Sequence, residues 1–192
     1  MKALSGLIGV TLLMMISVGY ASGPISPSPY TLPWQLRSVM PATAIRLDSA
    51  IAFYDDNSGN SGGTVEATVL TGTYKFFSHL TGIIRLPMVI DDPPANGQSG
   101  VSFANPLIGA TYSLTMPSDF RLAFSLGMTI PVGMGSGDSP DASVQSANAA
   151  AVLARSAMDN SLFAVNYLTV IPGVDIAYIG NRMTIQGEAT LF

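Results

Sequence analysis

The stretch that most constrains this chain runs from Phe120 to Val132. Every even position in it is large and apolar: Phe120, Leu122, Phe124, Leu126, Met128, Ile130 and Val132. The odd positions from Arg121 to Thr129 are Arg, Ala, Ser, Gly and Thr, all small or polar. Side chains on a strand alternate between faces, so this is a strand with one greasy face and one polar or small face. Such a strand suits a half-buried sheet in water, or a barrel with lipid outside and water inside.

The same period recurs along the chain. Ile45, Leu47, Ile51 and Phe53 face one way, with Arg46 and Asp48 opposite. Thr64 to Phe76 is rich in Val and Thr, which favours strand. Its alternation slips near Gly72, predicting a bulge that moves Tyr74 and Phe76 onto the other parity. Leu80, Gly82, Ile84, Leu86, Met88 and Ile90 oppose Thr81, Arg85 and Asp91. A fourth strand is predicted from about Phe103 to Met116, and Pro117-Ser118-Asp119 turns the chain into the strand above. Val174, Ile176 and Tyr178 alternate up to a Gly180-Asn181 hairpin turn. Met183, Ile185, Ala189 and Leu191 then oppose Thr184, Gln186, Glu188 and Thr190. The expectation is an all-β, antiparallel, up-and-down barrel of about seven strands. Ala-rich Ser143 to Met158 is its one helix, either plugging the interior or lying as a surface loop. Irregular chain is expected from there to about Pro172-Gly173.

Connection lengths choose between the two settings. Loops after the first, third and fifth strands are long; those after the second, fourth and sixth are short. Outer-membrane barrels have this asymmetry, with short periplasmic turns and longer outer loops. Only 10% of the residues are charged, against roughly 25% in an average soluble domain. A net charge of -4 and only 8 Lys and Arg argue against a nucleic-acid surface. With no Cys, disulfides play no part in the fold.

Residues 1–21 read as a signal peptide: Lys2, an apolar run from Leu7 to Val18, then Gly19-Tyr20-Ala21 as a cleavage site. Residues 22–43 form a lead-in in which Pro24, Pro27, Pro29, Pro33 and Pro41 forbid a central strand. Tyr30 and Trp34 there suit a membrane interface, and Trp34 equally suits a core. Residues 44–192 are the barrel domain.

Gly72-Thr73-Tyr74-Lys75-Phe76, Arg85-Leu86-Pro87, Asn105-Pro106-Leu107-Ile108-Gly109-Ala110-Thr111-Tyr112 and the Leu122 to Pro131 strand resemble transporter-like outer-membrane barrels. The family in question is the one associated with the meta-pathway of phenol degradation. The resemblance covers about residues 44–192 and is one of strands and turns, without a catalytic signature. It implies a Gram-negative outer-membrane barrel that passes small hydrophobic or aromatic compounds. Outer-membrane lipid and the barrel-assembly machinery would then be its partners. Two departures stand out. Seven strands is odd, whereas bacterial single-chain barrels have even numbers. Phe192 shares parity with Thr190 and Glu188 on the polar face, out of phase with the usual terminal Phe. Both lead us to expect a barrel truncated at its C-terminus.

Chemistry is sparse. His79 is the one histidine, in a short turn beside Ser78, and nothing in the sequence brings Asp91 or Asp119 to it. No catalytic residue, metal site or cofactor is assigned, and the chain is not expected to be an enzyme. Asp55, Asp56 and Asn57 could hold calcium, but a solvated turn explains them as well. The lumen-lining candidates are Arg46, Asp48, Arg85, Arg121, Arg182 and Glu188, since charge facing lipid is costly. They would line a polar pore or pair with one another to fill a narrow barrel. The expected role is a passive channel or uptake route for small solutes. The alternative is a soluble exported β-domain, or a membrane anchor with a binding role and no transport.

Overall fold

The computed structural model describes residues 13–17, 37–54, 62–93, 97–137, 141–155, 159–180 and 183–191. In chain order its first strands are β1 (Leu13–Ser17), β2 (Ala44–Tyr54), β3 (Gly63–Lys75), β4 (Leu80–Asp92) and β5 (Gly100–Phe103). Then follow β6 (Leu107–Thr115), β7 (Phe120–Thr129), helices α1 (Ala142–Ala154) and α2 (Asn160–Phe163), β8 (Val170–Ile179) and β9 (Thr184–Thr190). All strands belong to one antiparallel sheet ordered β1-β9-β8-β7-β6-β4-β3-β2, with β5 also paired to β4. The fold is all-β, and the sheet curls into a half-barrel.

The seven expected strands appear as β2, β3, β4, β6, β7, β8 and β9, each neighbouring the next in sequence. Their short connections, 76–79, 116–119 and 180–183, share one end of the sheet. The long ones share the other. β1 comes from the apolar N-terminal run and pairs with β9, from Leu13 against Glu188 to Ser17 against Thr184. Loss of a leader over residues 1–21 would remove that strand and leave β9 at the edge. Of the lead-in, the described residues 37–43 have no regular secondary structure and bend at Val39 and Met40. Tyr30, Trp34, Arg182 and Phe192 lie outside the described residues, as do Asp55, Asp56 and Asn57.

Three sequence expectations need correction. The fourth strand is not continuous from Phe103 to Met116. β5 pairs with the last part of β4 and β6 with the first, leaving a gap at Ala104-Asn105-Pro106. Pro87 of β4 faces that gap, where its missing N–H costs no ladder bond, and its carbonyl accepts from the Ala104 amide at 3.3 Å. No bulge occurs at Gly72, since β3 stays in register with both neighbours from Thr64 to Lys75 on the β4 side and through Thr73 on the β2 side. The slip in pattern has another origin. Val65, Ala67 and Val69 are apolar on the inner face because helices cover them, while Leu70 and Tyr74 are apolar on the outer face. Finally, the chain before Val174 is not irregular: α2 intervenes and β8 already starts at Val170. Pro172 is tolerated there because β9 runs out beside it, and its carbonyl accepts from the Leu191 amide at 3.1 Å.

The helix lies inside the curl. α1 is capped by Asp141, whose carboxylate accepts from the Ser143 amide at 2.8 Å. Its small face, Ala147 and Ala151, packs with Val65, Ala67, Val69 and Val89 of the wall and with Leu162 and Phe163 of α2. Gly100 of β5 makes the approach possible, because a β-carbon there would collide with the Ser143 carbonyl. A second, smaller cluster joins Val39 of the lead-in to Ala123, Ala177 and Ile179. The outer face, by contrast, leaves its large apolar residues uncovered, with Ile45 85% and Phe53 80% exposed.

The β6–β7 turn stores strain. Ser118 and Asp119 have φ of 62° and 64°, the left-handed pair that a two-residue hairpin turn needs and that Asn-Gly adopts more readily. Replacing them by Asn and Gly should raise stability by about 1 kcal/mol. A higher denaturant midpoint with unchanged slope is the expected result.

Candidate functional site

Alternation puts most of the polar residues of β2, β4 and β6 to β9 on the inner face, and pairing then aligns inner residues in rows across the sheet. One row runs Arg46, Thr71, Arg85, Leu107, Thr129. Five of the six lumen candidates are described, and all five have this inner parity, but they do not form one constellation. Arg46 binds Asp48, two residues on and on the same face, at 2.8 Å. Arg85 reaches into the loop region and binds Asp159 at 2.7 Å. Glu188 binds Arg37 at 2.5 Å. Arg121, near the short-turn end, donates to the Phe120 carbonyl at 2.9 Å.

Two groups absent from the sequence reading organise the inner face. At the helix end, Asp159 bridges two guanidiniums, taking Arg85 on one oxygen and Arg155 Nε on the other at 2.6 Å. Arg155 is buried and also donates to the Asp48 and Ala67 carbonyls at 3.4 Å. Burial pushes the Asp159 carboxyl up, but the charge and hydrogen bonds of Arg85, then of Arg155, outweigh it and hold the pKa below the ordinary value. The i,i+4 spacing of Arg155 and Asp159 was the available signal. It was hidden because both follow an Ala-rich run with no other charge.

The second group lies on β8 and β9. Arg37 of the lead-in donates to Glu188 from its backbone amide at 2.9 Å and from its guanidinium, which also bonds Thr190. Gln186 donates to the Arg37 carbonyl at 2.6 Å. Asp175, fully buried, lies beside this cluster with Arg37 Nε 3.9 Å away. Parity could have found Asp175, the acid between Val174 and Ile176. Nothing local marks Arg37, whose partners are about 150 residues away in sequence.

Asn105, in the gap between β5 and β6, is a third fixed point. Its side chain donates to the Ala164 and Tyr167 carbonyls and accepts from the Gly133 amide at 3.0 Å. It thereby pins both limbs of the long β7–β8 connection. His79 stays exposed in its turn, its ring nitrogen 3.1 Å from the Ser113 carbonyl. Asp91 is at the far end of β4, roughly 36 Å along the strand, so the two cannot act together. No group of three or more His, Cys, Asp or Glu residues that could hold a metal occurs among the described residues. Compared with family models, curated proteins and solved structures, the chain matches none.

Asp159 gives a pH prediction with a definite sign. Its folded pKa lies below the unfolded one, so its contribution is complete above about pH 4 and is lost as pH falls through the folded value. Amide exchange from α1 should accelerate on acidification below pH 4, and Asp159→Asn should flatten that dependence. Asp159→Ala should cost about 3 kcal/mol, because it leaves the buried Arg155 without its carboxylate.

Proposed function

We propose that the chain is an outer-membrane β-barrel protein with a passive channel or uptake role for small solutes. The observation that carries this reading is the outer face. Aliphatic side chains stand uncovered across six neighbouring strands, among them Leu47, Leu70, Leu86, Ile108, Leu126 and Ile176. Exposed aromatics frame them at both ends. Tyr74, Phe76, Phe77, Tyr112 and Phe120 lie toward the short turns, and Phe53, Phe103 and Tyr167 toward the long loops. Apolar patches beyond a few hundred Å² are rare on soluble monomers, whereas an apolar band between aromatic girdles is the exterior of a membrane barrel. Ten residues separate Thr64 from Tyr74, roughly 33 Å of strand, or about 25 Å of height at a tilt near 40°. That matches the apolar band of such barrels. Glu66 and Asp92 are acids of this face, and both lie close to the long-loop rim, where they accept from Thr68 and Ser99. Charge at the rim costs little.

Low charge, alternation and alternating loop lengths support the same reading. The solute part rests on the resemblance to transporter-like barrels and points to small hydrophobic or aromatic compounds. Lipid and the barrel-assembly machinery are the implied partners, and no catalytic role is assigned. A membrane barrel has to close, so the free edge of β2 calls for a strand partner in the bilayer. One observation favours a second reading, an anchor with a binding role and no transport. α1 and α2 pack an apolar cluster against the inner wall, which narrows any passage.

Three measurements test this. Leu86→Arg should cost about 2–4 kcal/mol of folding free energy in lipid bilayers. In a soluble β-domain the same half-exposed position would tolerate Arg to within about 0.5 kcal/mol. A full chain that stays monomeric in detergent-free buffer would rule out the membrane reading. Planar-bilayer conductance then separates channel from anchor: steady current is expected, and silence favours the anchor.

A further inference from the structure

The wall around Arg37 carries more unmet hydrogen-bonding capacity than a structural clasp needs. Thr81, Thr111, Ser125, Gly173 and Thr190 form one pairing row across the inner face. Ser113, Ala123, Asp175 and Glu188 form the next. The hydroxyls of Thr81, Thr111, Ser113 and Ser125 are buried and have no hydrogen-bond partner among the described residues. They make a polar track that leads along the sheet to the two acids.

At its end the guanidinium of Arg37 lies over Gly173. A β-carbon at Gly173 would stand 2.5 Å from an Arg37 nitrogen and 2.7 Å from Ser125 Oγ, so the glycine opens the floor on which the cation rests. The fit is incomplete. Arg37 satisfies Glu188 and Thr190, but its Nε has no hydrogen-bond partner among the described residues and stops 3.9 Å from Asp175. Among the described residues no N–H or hydroxyl donor reaches the carboxyl of fully buried Asp175, whose hydrogen-bonding neighbour is the other acid, Glu188. Here one tethered guanidinium serves two acids that also hydrogen-bond each other. A free planar cation, not held back by a backbone, can turn its N–H groups toward both.

We propose that Asp175 and Glu188, with Ser125, Gly173 and Thr190, form a binding site for a small organic cation of the alkylguanidinium class. Arg37 is the chain's own occupant of that site. This names a solute class for the inner face and rests on the reading of that face as a solute path. A cation arriving along the hydroxyl track competes with Arg37. Its binding displaces the lead-in from β8 and β9, and with it the contact of Val39 on Ala123, Ala177 and Ile179.

The test is chemical rescue of the full chain folded in detergent, which needs no pore. Thermal unfolding is followed by circular dichroism as millimolar methylguanidinium chloride is added, against sodium chloride at equal ionic strength. Arg37→Ala should unfold at a lower temperature than the wild type. It should recover by several degrees, saturably, with methylguanidinium and not with sodium, because a ligand that binds only the folded state stabilises it by mass action. The wild type, its site occupied, should shift much less, and Arg37→Ala with Asp175→Asn should not shift. Equal shifts in wild type and Arg37→Ala, a shift that survives Asp175→Asn, or one reproduced by sodium or methylammonium would overturn the guanidinium site. If Arg37→Ala folds only poorly, refolding yield with and without methylguanidinium reads the same competition. Rescue of yield that needs Asp175 supports the site, and no rescue overturns it. Rescue with silent conductance would remove the channel and keep the site; conductance without rescue would do the reverse.

Discussion

Asp159 is the contact on which the arrangement of the inner face depends. A carboxylate that lies in the loops between the helices takes Arg85 from the wall and Arg155 from the end of α1. Without it, α1 would present only a short alanine face to the sheet, and alanine buries too little area to hold a helix in place. Arg155 then reaches on to the Asp48 and Ala67 carbonyls. One acid thus links β2, β3, β4 and the helix. Removing two charges from water is expensive, and such a pair adds little net stability over an apolar substitute. What it supplies is position, since α1 can satisfy Arg155 only where Asp159 and those two carbonyls converge.

The same device recurs at the other side of the sheet. The described part of the lead-in, residues 37–43, has no regular structure with which to dock. It enters through Arg37, which binds the acids and Thr190 of β8 and β9, and through Val39, which fills a small apolar hollow. Of the eight basic side chains, Arg37, Arg46, Arg85 and Arg155 form ion pairs on the inner face. In a chain so poor in charge that allocation is informative. The cations gather where segments foreign to the sheet must be held against it, and the outer face is left nearly free of them.

Much of the sheet was legible because strand periodicity is a local property. Phe120 to Thr129 could be read as two-faced without knowing its neighbours, and the expected up-and-down order of the strands is the one observed from β2 to β9. What was misread involved contacts from outside the sheet. The parity slip in β3 looked like a bulge because Val65, Ala67 and Val69 are apolar for the sake of α1, which is distant in sequence. The break at Pro106 inside the predicted fourth strand was missed, because it shows only in the pairing of β5 and β6 with β4. The ionic groups were half legible. Arg46, Asp48, Arg85 and Glu188 followed from parity alone, whereas Arg37 and Asp159 sit in segments with no period to read. Their roles come from partners across the fold.

The two faces also differ in how far each is complete. The outer face repeats one motif across six strands and asks only for a uniform apolar surrounding. The inner face is heterogeneous: a dry helix-covered half over β3, β4 and β5, and a hydroxyl- and acid-lined half over β6 to β9. Buried hydroxyls without partners are costly unless water or another polar group meets them. Thr81, Thr111, Ser113 and Ser125 lie together in adjacent rows, so one polar occupant could serve them all. A fold that needed only a scaffold would place Val at these β-positions at no loss of strand propensity. The hydroxyls therefore mark the half of the interior that stays polar, opposite the half closed by the helix.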